Sequence, residues 1–194
     1  MPSLAEQITQ LAQGAMAAHG LVLVAARLSG GTASGKGKLT LDVMAEMPDG
    51  TSPTLDLCIS ASRTLSAQMD VAEILNSPYT LEVGSPGLER PLTGTADYTR
   101  FNGRQAKLTF TRPVANPSGK GVLGSTVGRI TQPTETGLTL VLRDGGESLT
   151  VTYAQIRDAH LLPSAEELKD IMQQANQRQK MLKEADAGAS GDDA

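Results

Sequence analysis

Residues Tyr79–Leu92, YTLEVGSPGLERPL, set the plan of this chain. The stretch opens as a strand: Leu81 and Val83 alternate with Thr80 and Glu82, which turns one face toward a core. It then breaks at Pro86, Gly87 and Pro91. Each proline fixes its own φ and drives the residue before it, Ser85 or Arg90, toward an extended conformation. Ser85, Pro86, Gly87, Leu88, Glu89 and Pro91 are therefore expected to form a short, stiff linker. A linker of that kind holds two folded units at a set angle.

Working back toward the N-terminus, Ser3-Leu4-Ala5-Glu6 has the pattern of a capping box. Leu4, Ile8, Leu11, Ala15 and Ala18 follow at helical spacing, and Gly20 supplies the stop. Leu21–Leu28 reads as a buried strand. Lys38–Met47 alternates, with Leu39, Leu41, Val43 and Ala45 on one side, and Pro48-Asp49-Gly50 is turn chemistry. A second helix is expected from about Asp56 to Ala72, with Cys58, Ala61, Leu65, Met69 and Ala72 along one stripe. The order through Gly84 is then α-β-β-α-β, most simply two helices on one face of a three-stranded sheet.

Beyond Leu92 the pattern becomes all β. Residues 104–110, 122–130, 137–143 and 147–153 are short β runs, with a hairpin turn at Arg143-Asp144-Gly145-Gly146. Ile156, Ala159, Leu161 and Leu162 read as a closing strand, and together these runs suggest a small barrel over 93–162. Ser164-Ala165-Glu166-Glu167 resembles another capping box. Leu168, Ile171, Met172, Ala175 and Leu182 give the helix after it a thin apolar stripe. Gly188–Ala194 is small, polar and acidic, and is expected to be disordered. The expected fold class is α+β, with domains at 1–92 and 93–162 followed by a C-terminal helix and tail at 163–194.

Charge is unevenly distributed along these parts. Residues 1–92 carry 5 basic and 9 acidic side chains, 93–162 carry 8 and 5, and 163–194 carry 4 and 7. The middle part is thus net +3 between −4 and −3. An acidic protein with one basic section can meet RNA locally without indiscriminate phosphate binding. Between residues 90 and 129, Arg90, Arg100, Arg104, Lys107, Arg112, Lys120 and Arg129 face a single acid, Asp97. Tyr98, Phe101 and Phe110 are interleaved with them; such aromatics either stack on bases or fill a core. Arg90 has a further possible role in an ion pair with Glu82 or Glu89.

Other chemistries find little support. Gly30–Gly37 gives G-x-x-x-x-G-K, but Gly37 stands where a magnesium-binding hydroxyl belongs, and a strand follows instead of a helix. Gly84–Gly87 and Gly121–Gly124 share the G-x-x-G of a backbone-clamping loop but lack its basic centre and its flanking helices. Cys58 is the sole cysteine, in a pattern that suits a buried apolar residue. His19 and His160 are the only histidines, so no metal site, cofactor or catalytic set is expected. No membrane span or secretory pattern is evident, and a monomer in the cytoplasm is expected.

The linker and its neighbours resemble the bacterial ribosome maturation factor RimP family. The resemblance is strongest over Leu81–Leu92, a strand running into Ser-Pro-Gly-Leu-acid-Arg-Pro-Leu, and it continues through Tyr98, Arg100-Phe101 and Gly103-Arg104. Thr54-Leu55-Asp56, Cys58, Ser62-Arg63 and Leu65-Ser66 resemble the family's helix entry. Gly84 and Leu57 depart from the family's usual Ser and Asp, and residues 164–194 extend past the matched part. The resemblance implies a KH-like α/β domain, then an SH3/Sm-like barrel. It further implies a non-enzymatic factor without cofactor, acting on the immature small ribosomal subunit. The implied partners are small-subunit ribosomal RNA and ribosomal protein S-twelve. Two rival readings are a free-standing RNA-binding module acting on messenger or small RNA and, from Gly30–Gly37 alone, a P-loop enzyme.

Overall fold

The computed structural model describes residues 2–30, 38–142, 146–169 and 172–173. Helix α1 (Leu4–Ala17) starts at the expected capping box: the Ser3 amide donates to Glu6 Oε2 at 2.6 Å, and the Glu6 amide to Ser3 Oγ at 3.3 Å. Its buried face is Ile8, Ala12, Ala15 and Met16, whereas Leu4 lies exposed. The stripe is thus rotated slightly from the one the sequence suggests. Gly20, at φ +70°, turns the chain into β1 (Val22–Gly30). β1 is only partly buried, with Val24 and Ala25 its sheltered residues. β2 (Leu39–Glu46) buries Leu41, Val43 and Ala45 on the expected face, and α2 (Leu55–Ala72) buries Cys58, Ala61, Leu65 and Met69.

β3 (Tyr79–Gly84) pairs parallel with β2, and β1 pairs antiparallel with β2 on the other side, giving the order β1-β2-β3. Ile8 and Met16 of α1 share one core with Leu65 and Met69 of α2 and with Leu41 and Val43 of the sheet, so both helices cover the same face. Gly30 pairs with Leu39, which makes the two arms beside 31–37 antiparallel strands. A P-loop needs a strand and a helix there. Residues 31–37 themselves lie outside the described residues.

The second sheet has its own core, centred on Leu108, Ile130, Leu138, Leu140, Val151 and Leu161. A short helix, α3 (Thr95–Arg100), leads into it. Strands β4 (Gln105–Ala115), β5 (Val122–Thr131), β6 (Gly137–Leu142) and β7 (Ser148–Thr152) form a meander. A 3-10 turn (Tyr153–Gln155) then carries the chain to β8 (Ile156–Leu161). The order is β7-β6-β5-β4-β8, antiparallel throughout.

No β7–β8 ladder is present among the described residues, so the expected closed barrel is an open sheet. One reason is visible at β8. Its edge away from β4 is occupied by the end of the linker: Leu161 donates its amide to the Arg90 carbonyl and Leu92 to the Ala159 carbonyl, each at 2.9 Å. Residues 90–92 act as a short extra strand, and Pro91, which has no N–H, forms a bridge opposite His160.

Beyond β8, residues 165–169 are helical, and Ser164 and Glu167 form the expected capping contacts. Residues 143–145 of the expected hairpin turn lie outside the described residues. So do Ile171, Ala175 and Leu182 of the C-terminal stripe and the tail 188–194. No helix among the described residues is long and apolar enough to cross a membrane.

Candidate functional site

The two sheets meet at a buried charge cluster. Glu46 ends β2 and presents its carboxylate to three donors. Arg90 Nη1 and Nη2 both reach it, the latter at 3.1 Å, and Arg100 Nη1 donates to Oε1 at 2.8 Å. The Glu46 side chain is 7% exposed and that of Arg90 10%. Arg90 Nη2 also lies 3.5 Å from Asp97 Oδ1. Asp97 has a second task, accepting from the Thr93 and Gly94 amides at 2.8 and 3.1 Å, which fixes the start of α3. Both guanidinium groups lie against the Phe101 ring, with Arg90 Cζ at 5.1 Å and Arg100 Cζ at 4.9 Å from its centroid. The expected Arg90 partners were Glu82 or Glu89; the observed ones are Glu46 and Asp97.

Gly50 is part of this arrangement. Its φ of +85° suits glycine, and a Cβ there would sit 2.0 Å from Arg100 Nη2. A second set of ties crosses elsewhere: Arg27 Nη2 donates to Asp158 Oδ1 at 2.9 Å, and Thr93 Oγ1 to the Val24 carbonyl at 3.1 Å. The Arg27–Asp158 pair is exposed and contributes little, so Glu46 dominates the joint.

Beside the cluster is a cleft of about 410 Å³, walled by the linker from Ser85 to Leu88, the turn at Gly50–Ser52, and Arg100, Phe101 and Arg104. Gly87 takes φ +62°, so the linker turns at the one residue that adopts this conformation without strain. Glu167 reaches the cleft from the C-terminal segment. Arg104 Nη2 donates to both its oxygens, at 2.8 and 2.7 Å. Hydrogen bonds from Ser164, chiefly its amide, together with the Arg104 charge hold the Glu167 carboxyl below the usual glutamate value.

The remaining basic candidates fall into two groups. Lys107 on β4 and Arg129 on β5 alternate with the buried residues Ala106, Leu108 and Ile130, so both project from the outer face of the sheet. Lys107 sits opposite Val127 on one side and His160 on the other, which makes Arg129 its diagonal neighbour. Arg112 and Lys120 belong to the far end of the β4–β5 hairpin, beyond the register shift after Thr109. The run from 90 to 129 is therefore not one patch. Arg90 is consumed by the joint, Arg100 and Arg104 border the cleft, Lys107 and Arg129 share the sheet face, and Arg112 and Lys120 lie at the hairpin end.

The aromatics are not free for stacking on bases. Tyr98 and Phe110 are core residues, and Phe101 lies partly buried beneath two guanidinium groups. Burial pushes the Tyr98 hydroxyl up to about 12. Cys58 is buried, His19 Nε2 lies 2.8 Å from Thr64 Oγ1, and the described residues contain no cluster of metal-binding side chains. Of the G-x-x-G patterns, Gly84 ends β3 and Gly121 closes the β4–β5 turn.

Glu46 had no distinguishing mark in the sequence. Strand alternation puts it on the face away from the helices, where an acid is ordinarily solvated. The only available signal was the linker itself, which brings a second folded unit against that face.

Residues 11–89 match the family model described as the RimP N-terminal domain. That match covers the N-terminal part of the chain; it supports membership of the RimP family and implies, broadly, a role in ribosome maturation.

Proposed function

We propose that this chain acts as a RimP family member, a non-catalytic factor that binds the immature small ribosomal subunit and promotes its late maturation, as a cytoplasmic monomer. The observation that carries this reading is the Glu46–Arg90–Arg100 cluster, which ties β2 to the linker and to α3. A joint of buried, paired charges holds the two sheets in one orientation, and a fixed orientation suits docking on a large particle better than threading single-stranded RNA. Arg100, Arg104, Lys107 and Arg129 would meet ribosomal RNA phosphates, with Arg112 and Lys120 reaching further along the hairpin. The acidic parts on either side favour a basic protein neighbour such as S-twelve.

In this reading 1–92 is a KH-like domain, 93–162 an SH3/Sm-like domain and 163–194 an appendage. The α-β-β-α-β order, the meander and the 3-10 turn before β8 support it. The test is co-sedimentation with free small subunits, large subunits and complete ribosomes at near-physiological salt. Preferential migration with free small subunits is expected. Association with none of them, alongside firm binding to isolated single-stranded RNA, would replace this reading with the free-standing RNA-binding module.

A further inference from the structure

The cleft beside the linker contains one contact that the joint does not need. Arg104 takes no part in the Glu46 cluster. Its Nη2 is held instead by Glu167, from a segment that lies beyond the last strand. Both side chains of this pair are substantially exposed, 38% and 41%, so the contact is weakly held. Glu167 is also satisfied without Arg104, because the Ser164 amide donates to its Oε2 at 2.7 Å in the capping box. Releasing Arg104 therefore strands neither group. The other exposed cationic wall of the cleft remains in place: Arg100 has one nitrogen on Glu46, and its side chain is 43% exposed. With Glu167 withdrawn, Arg100 and Arg104 border the cleft, and Glu46, the remaining acid of its lining, is already paired with the buried Arg90. A guanidinium accepts a phosphate as readily as a carboxylate, and with similar geometry.

We propose that the Arg100–Arg104 side of this cleft is a binding site for a ribosomal RNA phosphate, and that Glu167 occupies it in the free protein until that phosphate displaces it. The inference rests on the ribosomal reading above for the identity of the ligand, but not for the existence of the anion site. Glu167 then acts as a built-in competitor: it lowers affinity for stray phosphate and yields to a site that offers several contacts at once. Displacement would release residues 164–169 from the cleft while leaving their helix start capped.

Glu167→Gln separates the two roles of the residue, since glutamine also completes a capping box but carries no charge. The variant is compared with the wild-type chain in titrations with inorganic tripolyphosphate and with free small subunits. Glu167→Gln is expected to bind both about two- to fivefold more tightly, the range expected from removing an exposed ion pair. Adding Arg104→Ala should abolish the gain. Equal affinities in both titrations, or weaker binding by Glu167→Gln, would overturn the inference; wild-type binding to subunits would in that case leave the ribosomal reading intact. A gain with tripolyphosphate while neither protein binds subunits would uphold the anion site and remove the ribosomal reading.

Discussion

Truncating Glu46 to alanine takes away the one carboxylate that Arg90 contacts with both terminal nitrogens. Arg90 would then be left buried, with Asp97 at 3.5 Å as its remaining anion and its Nε–H still unmet. Breaking a buried pair from one side costs about 3–5 kcal/mol, because the stranded charge keeps its desolvation penalty. For a chain of this size each kcal/mol lowers Tm by about 2–4 °C, so a fall of about 6–20 °C is expected by scanning calorimetry. Arg100→Ala should cost about 1 kcal/mol or less, since that side chain is 43% exposed and Arg90 still neutralises Glu46. The cycle Glu46→Ala, Arg90→Ala and the double variant should give a coupling energy of about 2 kcal/mol or more. A Glu46→Ala cost below about 1 kcal/mol would refute the reasoning, because it would mean that the cluster is solvated and does not hold the sheets together.

Further expectations concern the linker, the sheet face and the tyrosines. Gly87→Val places a β-branched residue at φ +62° with no atom near its new Cβ, so the cost is backbone strain of about 1–3 kcal/mol. It should weaken small-subunit binding while both cores still melt cooperatively; unchanged affinity would count against the linker's role. Charge reversal at Lys107 and Arg129 together should lower subunit affinity and flatten its dependence on salt, and an unaltered salt slope would remove both from the list of phosphate contacts. In a spectrophotometric titration Tyr98 should ionise near 12, with Tyr79 and Tyr153 also above the ordinary tyrosine value, each through burial first. A pKa raised on folding means that the Tyr98 contribution is present below the unfolded value and is lost as pH rises through the folded one. If all three tyrosines titrated together at the ordinary value, Tyr98 would not be in the core.

Local chemistry made most of the elements legible. Ser3 with Glu6, the alternation of Leu41, Val43 and Ala45, the stripe from Cys58 to Met69 and the prolines of the linker each act within a few residues, where spacing suffices. What escaped depends on contacts between distant parts. Barrel closure could not be judged without knowing that Arg90–Leu92 would take the free edge of β8, some seventy residues later in the chain. The division of the basic run into a joint, a cleft edge and a sheet face follows from strand register and from Glu46, none of which periodicity encodes. α3 is a single short helix whose start depends on Asp97, which spacing marks only as a lone acid in a basic stretch. The Arg104–Glu167 contact joins the basic part to a segment beyond the family resemblance, so no motif pointed to it.

The most direct measurement is the affinity of the wild-type chain and of Glu46→Ala for free small subunits, at a temperature where both remain folded. If a fixed joint presents the docking surface, the wild type binds and Glu46→Ala binds at least about tenfold more weakly, a loss of about 1.4 kcal/mol or more. Equal affinities would contradict the joint as the basis of docking, and no binding by the wild type would contradict the ribosomal role itself.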